Sequence, residues 1–280
     1  MRPKIPILIL VGILFVTVSF PAFTDPWIPA AGEGKLKAVV RWYQSHRVFS
    51  SSHYGTQTFP STSKYTETQL KVTGEHGLGN GWALRYDLRA AELRKAKKKN
   101  TYTASGLEDQ TLGLVYGLHQ TPSFADALAF NVVFPTGSTT SHPQLGVGEY
   151  AVEPDYQIGV KRRYGDHHYV TGTLTLGPRV FLDGGATQLR ASLDVGTNVS
   201  SKVAVFGSLF YVHTVAGYNP PPTGVAIPNN AEIYNLLRGG IALQYALTKN
   251  VRPILGYEVD LAGRDIHAGH RIVLGVSWRY

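Results

Sequence analysis

Apolar residues recur at every second position along most of this chain, in segments of about ten residues separated by turns. The last segment is the clearest. In Arg271-Ile-Val-Leu-Gly-Val-Ser-Trp-Arg-Tyr280, one face carries Ile272, Leu274, Val276, Trp278 and Tyr280, and the other Arg271, Val273, Gly275, Ser277 and Arg279. A period of two is that of a β-strand. The same pattern predicts strands near 35–45, 64–76, 82–93, 107–119, 125–134, 149–161, 168–181, 187–197, 202–213, 233–246, 251–261 and 269–280. Turns rich in Gly, Asn, Asp and Pro, such as Gly77-Leu-Gly-Asn-Gly81 and Gln120-Thr-Pro-Ser123, alternate with predicted long loops over 46–63, 94–106, 135–148, 182–186, 214–232 and 262–268. Strict alternation puts both termini at the short-turn end. The expectation is an all-β, antiparallel up-and-down barrel of about twelve strands, with ten and fourteen left open.

The faces say what surrounds the barrel. Apolar sets such as Leu36, Ala38, Val40 and Trp42, or Leu112, Leu114, Tyr116 and Leu118, point one way. Charged residues fall on the other face. The lumen-lining candidates are Lys37, Arg41, Glu67, Lys71, Arg85, Asp87, Arg89, Glu153, Asp155, Arg238, Glu258 and Arg271, with Lys161, Arg163 and Arg279 among further basic residues assigned inward. A lysine or arginine on a lipid-facing strand position costs about 2–4 kcal/mol at mid-membrane, so this segregation fits a transmembrane barrel whose closing strand ends on an aromatic residue. A periplasmic β-sandwich is the alternative, and it leaves twelve evenly spaced strands unexplained.

Residues 1–24 open with Arg2 and Lys4 and continue into an apolar run from Ile5 to Phe20, the layout of a cleaved secretory signal. An uncleaved anchor is the alternative. Residues 25–280 are then one barrel domain. There is no cysteine, which excludes disulfides and thiolate metal sites, and the formal net charge of +8 is modest. No cofactor and no nucleic-acid partner is expected. The expected partners are outer-membrane lipid and lipopolysaccharide, an unidentified small solute, and the barrel-assembly machinery through the strand ending at Tyr280.

Several blocks resemble one family. They are Trp27-Ile-Pro-Ala-Ala-Gly-Glu-Gly34, the Glu67–Gly77 strand with Glu75-His-Gly-Leu78, Gly106-Leu-Glu-Asp-Gln-Thr-Leu-Gly-Leu-Val-Tyr116, and Phe134-Pro-Thr-Gly137 followed by Leu145-Gly-Val-Gly148. Their order is similar to that in the outer-membrane proteins linked to the MetA pathway of phenol degradation, with their XagA-like relatives. The resemblance implies a channel or transporter in the outer membrane, for hydrophobic or aromatic compounds, and no catalytic residues.

Candidate chemistry is sparse. Ser141-His142 is an adjacent nucleophile–base pair in a predicted external loop, as an outer-membrane lipid hydrolase would need near its rim, but neighbours in sequence seldom hydrogen-bond in that way. Asp166-His167-His168, and Asp265 with His267 and His270, have metal-ligand chemistry and also suit polar turns. Lys95-Ala-Lys-Lys-Lys99 reads as a cationic loop facing phosphate groups or as a solvated tip, and Gly217–Gly224, with three prolines, as an inward constriction or an exposed loop. The function expected is passage of small solutes without catalysis. The alternative is a closed structural or adhesion barrel acting through its external loops. Separated ladders of charge in the lumen would favour the first and interlocking ion pairs the second.

Overall fold

The computed structural model describes residues 25–49, 56–58, 64–97, 100–164, 168–182, 185–216 and 233–280. The expected signal segment, Lys98, Lys99, Asp166, His167 and the 217–224 segment lie outside the described residues. The strands are β1 Gly34–Phe49, β2 Thr56–Thr58, β3 Lys64–Gly79, β4 Trp82–Lys97, β5 Asn100–Leu107, β6 Gln110–Gln120, β7 Phe124–Phe134, β8 Ala151–Tyr164, β9 His168–Phe181, β10 Thr187–Asn198, β11 Val203–Ala216, β12 Asn235–Tyr245, β13 Val251–Arg264 and β14 Ile266–Arg279.

Twelve of these form a closed antiparallel ring, each pairing with its neighbours, while β2 and β5 are side strands on β1 and β4. The ring closes between β1 and β14, with Leu36 opposite Trp278 and Val40 opposite Leu274. The last residue completes the seam: Gly34 N–H donates to Tyr280 O at 2.9 Å and Tyr280 N–H to Gly34 O at 3.1 Å. The shortest ring strands, β6, β7 and β12, have 11 residues, enough for a tilted strand to cross a bilayer core of about 30 Å.

The outer face is apolar. Leu84, Leu88, Leu112, Leu114, Leu128, Phe130, Leu193, Ile241, Leu255 and Leu274 are all exposed there. Aromatic residues gather toward the margins: Trp82 packs on Tyr116 (centroids 4.7 Å) and Trp278 on Tyr280 (5.2 Å) at the turn end, and Phe134 meets Tyr150 (6.0 Å) at the loop end. An apolar band between aromatic girdles is the surface of a barrel solvated by lipid.

Two loop expectations change. The stretch predicted as a loop over 94–106 continues β4 into a hairpin with β5. Consequently β4 pairs with β6 only over Trp82–Asp87, and the strand predicted from 107 begins at Gln110. The predicted long loop at 262–268 is a single residue, Asp265, whose left-handed backbone (φ 57°) joins β13 to β14. Asn and Asp tolerate that region better than other side chains. The connection predicted over 182–186 has those bounds, between strands that end at Phe181 and resume at Thr187. Alternation of long and short connections therefore does not hold throughout.

Candidate functional site: the barrel lumen

Residues that alternate with the lipid face point inward, so each strand delivers its polar set to the lumen. At mid-height these side chains surround a cavity of about 290 Å³. Ten of the twelve candidates line it: Lys37 and Arg41 from β1, Lys71 from β3, Arg85, Asp87 and Arg89 from β4, Glu153 and Asp155 from β8, Arg238 from β12 and Glu258 from β13. Glu67 and Arg271 lie outside that lining. Lys161, Arg163 and Arg279 are exposed, at or near the turn-end limits of β8 and β14, and do not line the cavity, because the alternating pattern runs past the barrel wall there.

The charges form three networks along the wall. On β1, β3 and β4, Asp87 binds both Lys71 (2.8 Å) and Arg89, and Glu75 holds Arg85 (2.7 Å) and Lys35 (3.2 Å). On β8 to β10, Arg190 bridges Glu153 and Asp155 at 2.9 Å each, and Arg179 joins Glu153. On β12 to β1, Asp260 accepts from Arg238 Nε (2.7 Å), while Glu258 sits 3.7 Å from Arg41 and 4.0 Å from Arg271. Nearly all these contacts join strands one or two places apart. Arg85 Nη2 donating to Gln157 Oε1 at 3.1 Å is the longer chord. Pairing along the wall, rather than across it, leaves room for the cavity.

The signs are also unevenly distributed. The β1–β3–β4 arc brings Lys37, Arg41, Lys71, Arg85 and Arg89 to the cavity against Asp87 alone. Roughly opposite, β8–β10 bring Glu153, Asp155 and Asp194 against Arg179 and Arg190. A basic surplus therefore lies on one arc of the lining and a slight acidic surplus on the other. The two arrangements weighed from sequence thus coexist: ion pairs tile the wall and separated arcs remain.

Apolar layers border the polar waist, and the alternation gave no sign of them. Val39, Ala242, Ile254 and Val273 cluster inside, as do Phe49, Val212, Tyr234, Leu236, Ile266 and Ala268. A third cluster of Tyr43, Tyr65, Ala91, Leu93, Ala104 and Leu145 draws in the loop 135–148. Asp109 pins that loop by accepting Gly137 N–H (3.1 Å) and Val147 N–H (2.8 Å). Burial raises the Asp109 carboxyl above its usual range, while those two N–H groups act the other way. Next to it Glu108, packed against Gln69 and the Glu67 carboxylate, is pushed up to about 8, mainly by burial.

At the turn end, residues 25–33 fold into the mouth. Trp27 Nε1 donates to Thr121 O at 2.8 Å, Gln120 Nε2 to Pro26 O at 2.8 Å, and Ile28 N–H to Gln120 Oε1 at 3.1 Å. Ile28 packs on Val115, Ala127 and Ala129. Gly159 makes room for this segment, since a Cβ there would lie 2.5 Å from the Trp27 ring.

The enzymatic candidates are not assembled. Ser141 Oγ bonds the carbonyls of Ser138 (3.2 Å) and Pro143 (2.9 Å), and the His142 ring stands edge-on to Tyr102 instead. His267 is buried and stacked on Tyr65, whereas His270 is exposed beside Tyr257. Three positions apart on a strand, the two point to opposite faces. His168 Nδ1 meets Asn198 O at 2.9 Å.

No known family profile matches the chain, and no curated protein is similar to it. Solved structures do match. An outer membrane channel from Pseudomonas putida F1 aligns with a TM-score of 0.64 at 13% identity, over 91% of this chain and 98% of that one. The NanC porin aligns with a TM-score of 0.52 at 14% identity, over 87% of this chain and 100% of its own. At these identities the likeness establishes the fold: a twelve-stranded barrel of the outer-membrane channel and porin type.

Proposed function

We propose that this chain is an outer-membrane channel or transporter for small solutes and performs no catalysis. The observation that carries the reading is the charged cavity of about 290 Å³ at the waist of a lipid-embedded barrel. A barrel built only for structure gains nothing from buried charges around a void, because each is expensive to desolvate. The likeness to a channel and a porin points the same way. In this reading the outer membrane is the site of action, residues 1–24 are the export signal, and the strand ending at Tyr280 is presented to the assembly machinery. Lipid and lipopolysaccharide surround the wall. The sequence blocks named above support, as part of this proposal, a kinship with the MetA-linked barrels.

The second reading, a closed barrel, is favoured by one observation: the apolar layers and the 25–33 segment narrow the lumen on either side of the cavity. Swelling of liposomes holding the refolded mature protein separates the two. Entry of small solutes supports the channel, and impermeability of a correctly folded barrel overturns it.

A further inference from the structure

We infer that the waist cavity binds a small organic carboxylate with an apolar body; this deepens, and rests on, the channel reading.

Cations around the cavity outnumber carboxylates eight to five. The surplus is concentrated where Lys37 and Arg41 of β1 lie beside Lys71 of β3. Lys71 already shares Asp87 with Arg89, and the acid contact of Arg41 is a loose 3.7 Å to Glu258. Unmet hydrogen-bonding atoms of both kinds occur on the lining, acceptors such as Asn131 Oδ1 and Glu258 Oε2 beside guanidinium donors. Arg41 Nε, Arg85 Nη1, Arg190 Nε and Arg238 Nη2 are buried without a hydrogen-bond partner among the described residues. Buried polar groups are rarely left so, and a carboxylate offers two oxygens toward which guanidinium groups can turn.

The apolar half comes from the same walls. Val39 stands between Lys37 and Arg41 on one face of β1, backed by Ala242, Ile254 and Val273. Phe210 and Tyr234 also line the cavity. An inorganic anion would leave Val39 and Phe210 unused, and a neutral apolar solute would leave the donors unmet. At about 290 Å³ the space is just below the roughly 300–1,000 Å³ that houses drug-sized ligands. A single ring or short chain bearing one carboxylate fits.

The test is calorimetric titration of the refolded mature barrel with benzoate, acetate and benzyl alcohol. Benzoate is expected to bind about tenfold or more tightly than either, a difference of about 1.4 kcal/mol. Lys37→Met and Arg41→Gln should each weaken benzoate about tenfold, and Phe210→Ala should weaken benzoate while sparing acetate. Equal binding of benzoate and benzyl alcohol, or no response to Lys37→Met in a folded barrel, overturns the site. Should the variants fail to fold, the three-ligand comparison on the unaltered protein still decides. A barrel that conducts ions without binding benzoate sinks this inference alone; one that binds benzoate but never conducts sinks the channel reading alone.

Discussion

The Arg271 guanidinium lies 4.3 Å above the centre of the Tyr43 ring, directly across the seam that closes the barrel. The Tyr43 hydroxyl donates to Asp260 Oδ2 at 3.1 Å, and Arg271 Nη1 reaches Asp260 Oδ1 at 3.4 Å. One arginine, 1% exposed, thus ties β14 to β1 and to β13. Arg271→Met would leave Asp260 and Glu258 short of a cation, and breaking a buried pair costs about 3–5 kcal/mol. Urea unfolding of the refolded barrel should show a loss of that order. Arg271→Lys should lose less, because the charge stays while the flat stacking surface goes.

The same seam depends on a glycine at its other end. A Cβ on Gly34 would lie 2.4 Å from the Tyr280 ring and 2.9 Å from the backbone oxygen of Glu75. Gly34→Ala must therefore turn the Tyr280 ring aside and press on the β3 backbone at Glu75, at about 1–3 kcal/mol for overpacking. The folded fraction on a heat-modifiability gel should fall, and deletion of Tyr280, which removes both closing backbone bonds, should lower it further.

Glu108 makes the loop side of the lumen sensitive to pH. Its carboxyl is shifted upward from 4.5 to about 8, first by burial and then by Glu67, with Arg89 pulling downward. A carboxyl whose folded value is raised keeps its proton longer in the folded state. Its stabilising contribution is full below about 4.5 and is lost as pH rises through about 8. Its backbone oxygen also accepts the Thr136 hydroxyl at 2.6 Å, so the loss should reach the 135–148 loop. Glu108→Gln should unfold at a higher temperature than the unaltered protein at pH 8.5 and match it near pH 4. Equal melting temperatures at both pH values would contradict this account.

Alternation made the strands and their charged faces legible, because a lipid-facing position tolerates no charge and a lumen position usually carries one. It was blind where both faces are apolar. Ile254 and Val273 point inward beside Leu255 and Leu274, which point outward, and nothing in the residue types separates them. Tyr43, Tyr65, Gln69, Asn131 and Gln157 were missed as lumen residues for a related reason: uncharged polar and aromatic side chains suit either surface of a barrel. Asp265 looked like part of a loop because turn chemistry marks where a strand breaks and not how many residues the break needs. The path of residues 25–33 is set by distant partners, Gln120, Thr121 and Gly159, which no local pattern encodes.

That segment gives a prediction about permeability. Gly159→Leu would drive a side chain into the space of Trp27 and Pro26 and displace residues 25–33 from the mouth. Conductance should rise in Gly159→Leu and in Trp27→Ala alike, since both loosen the same contact. An unchanged conductance in both, with normal folding, would mean that the segment does not limit flow.

The central claim, an open bore with a basic arc, is tested most directly by single-channel recording of the refolded mature protein in a planar bilayer, with reversal potentials taken in a salt gradient. The account predicts discrete openings with a preference for anions, weakened in Lys37→Met and Arg41→Gln. A folded barrel that stays silent, or one that conducts with a preference for cations, would contradict it.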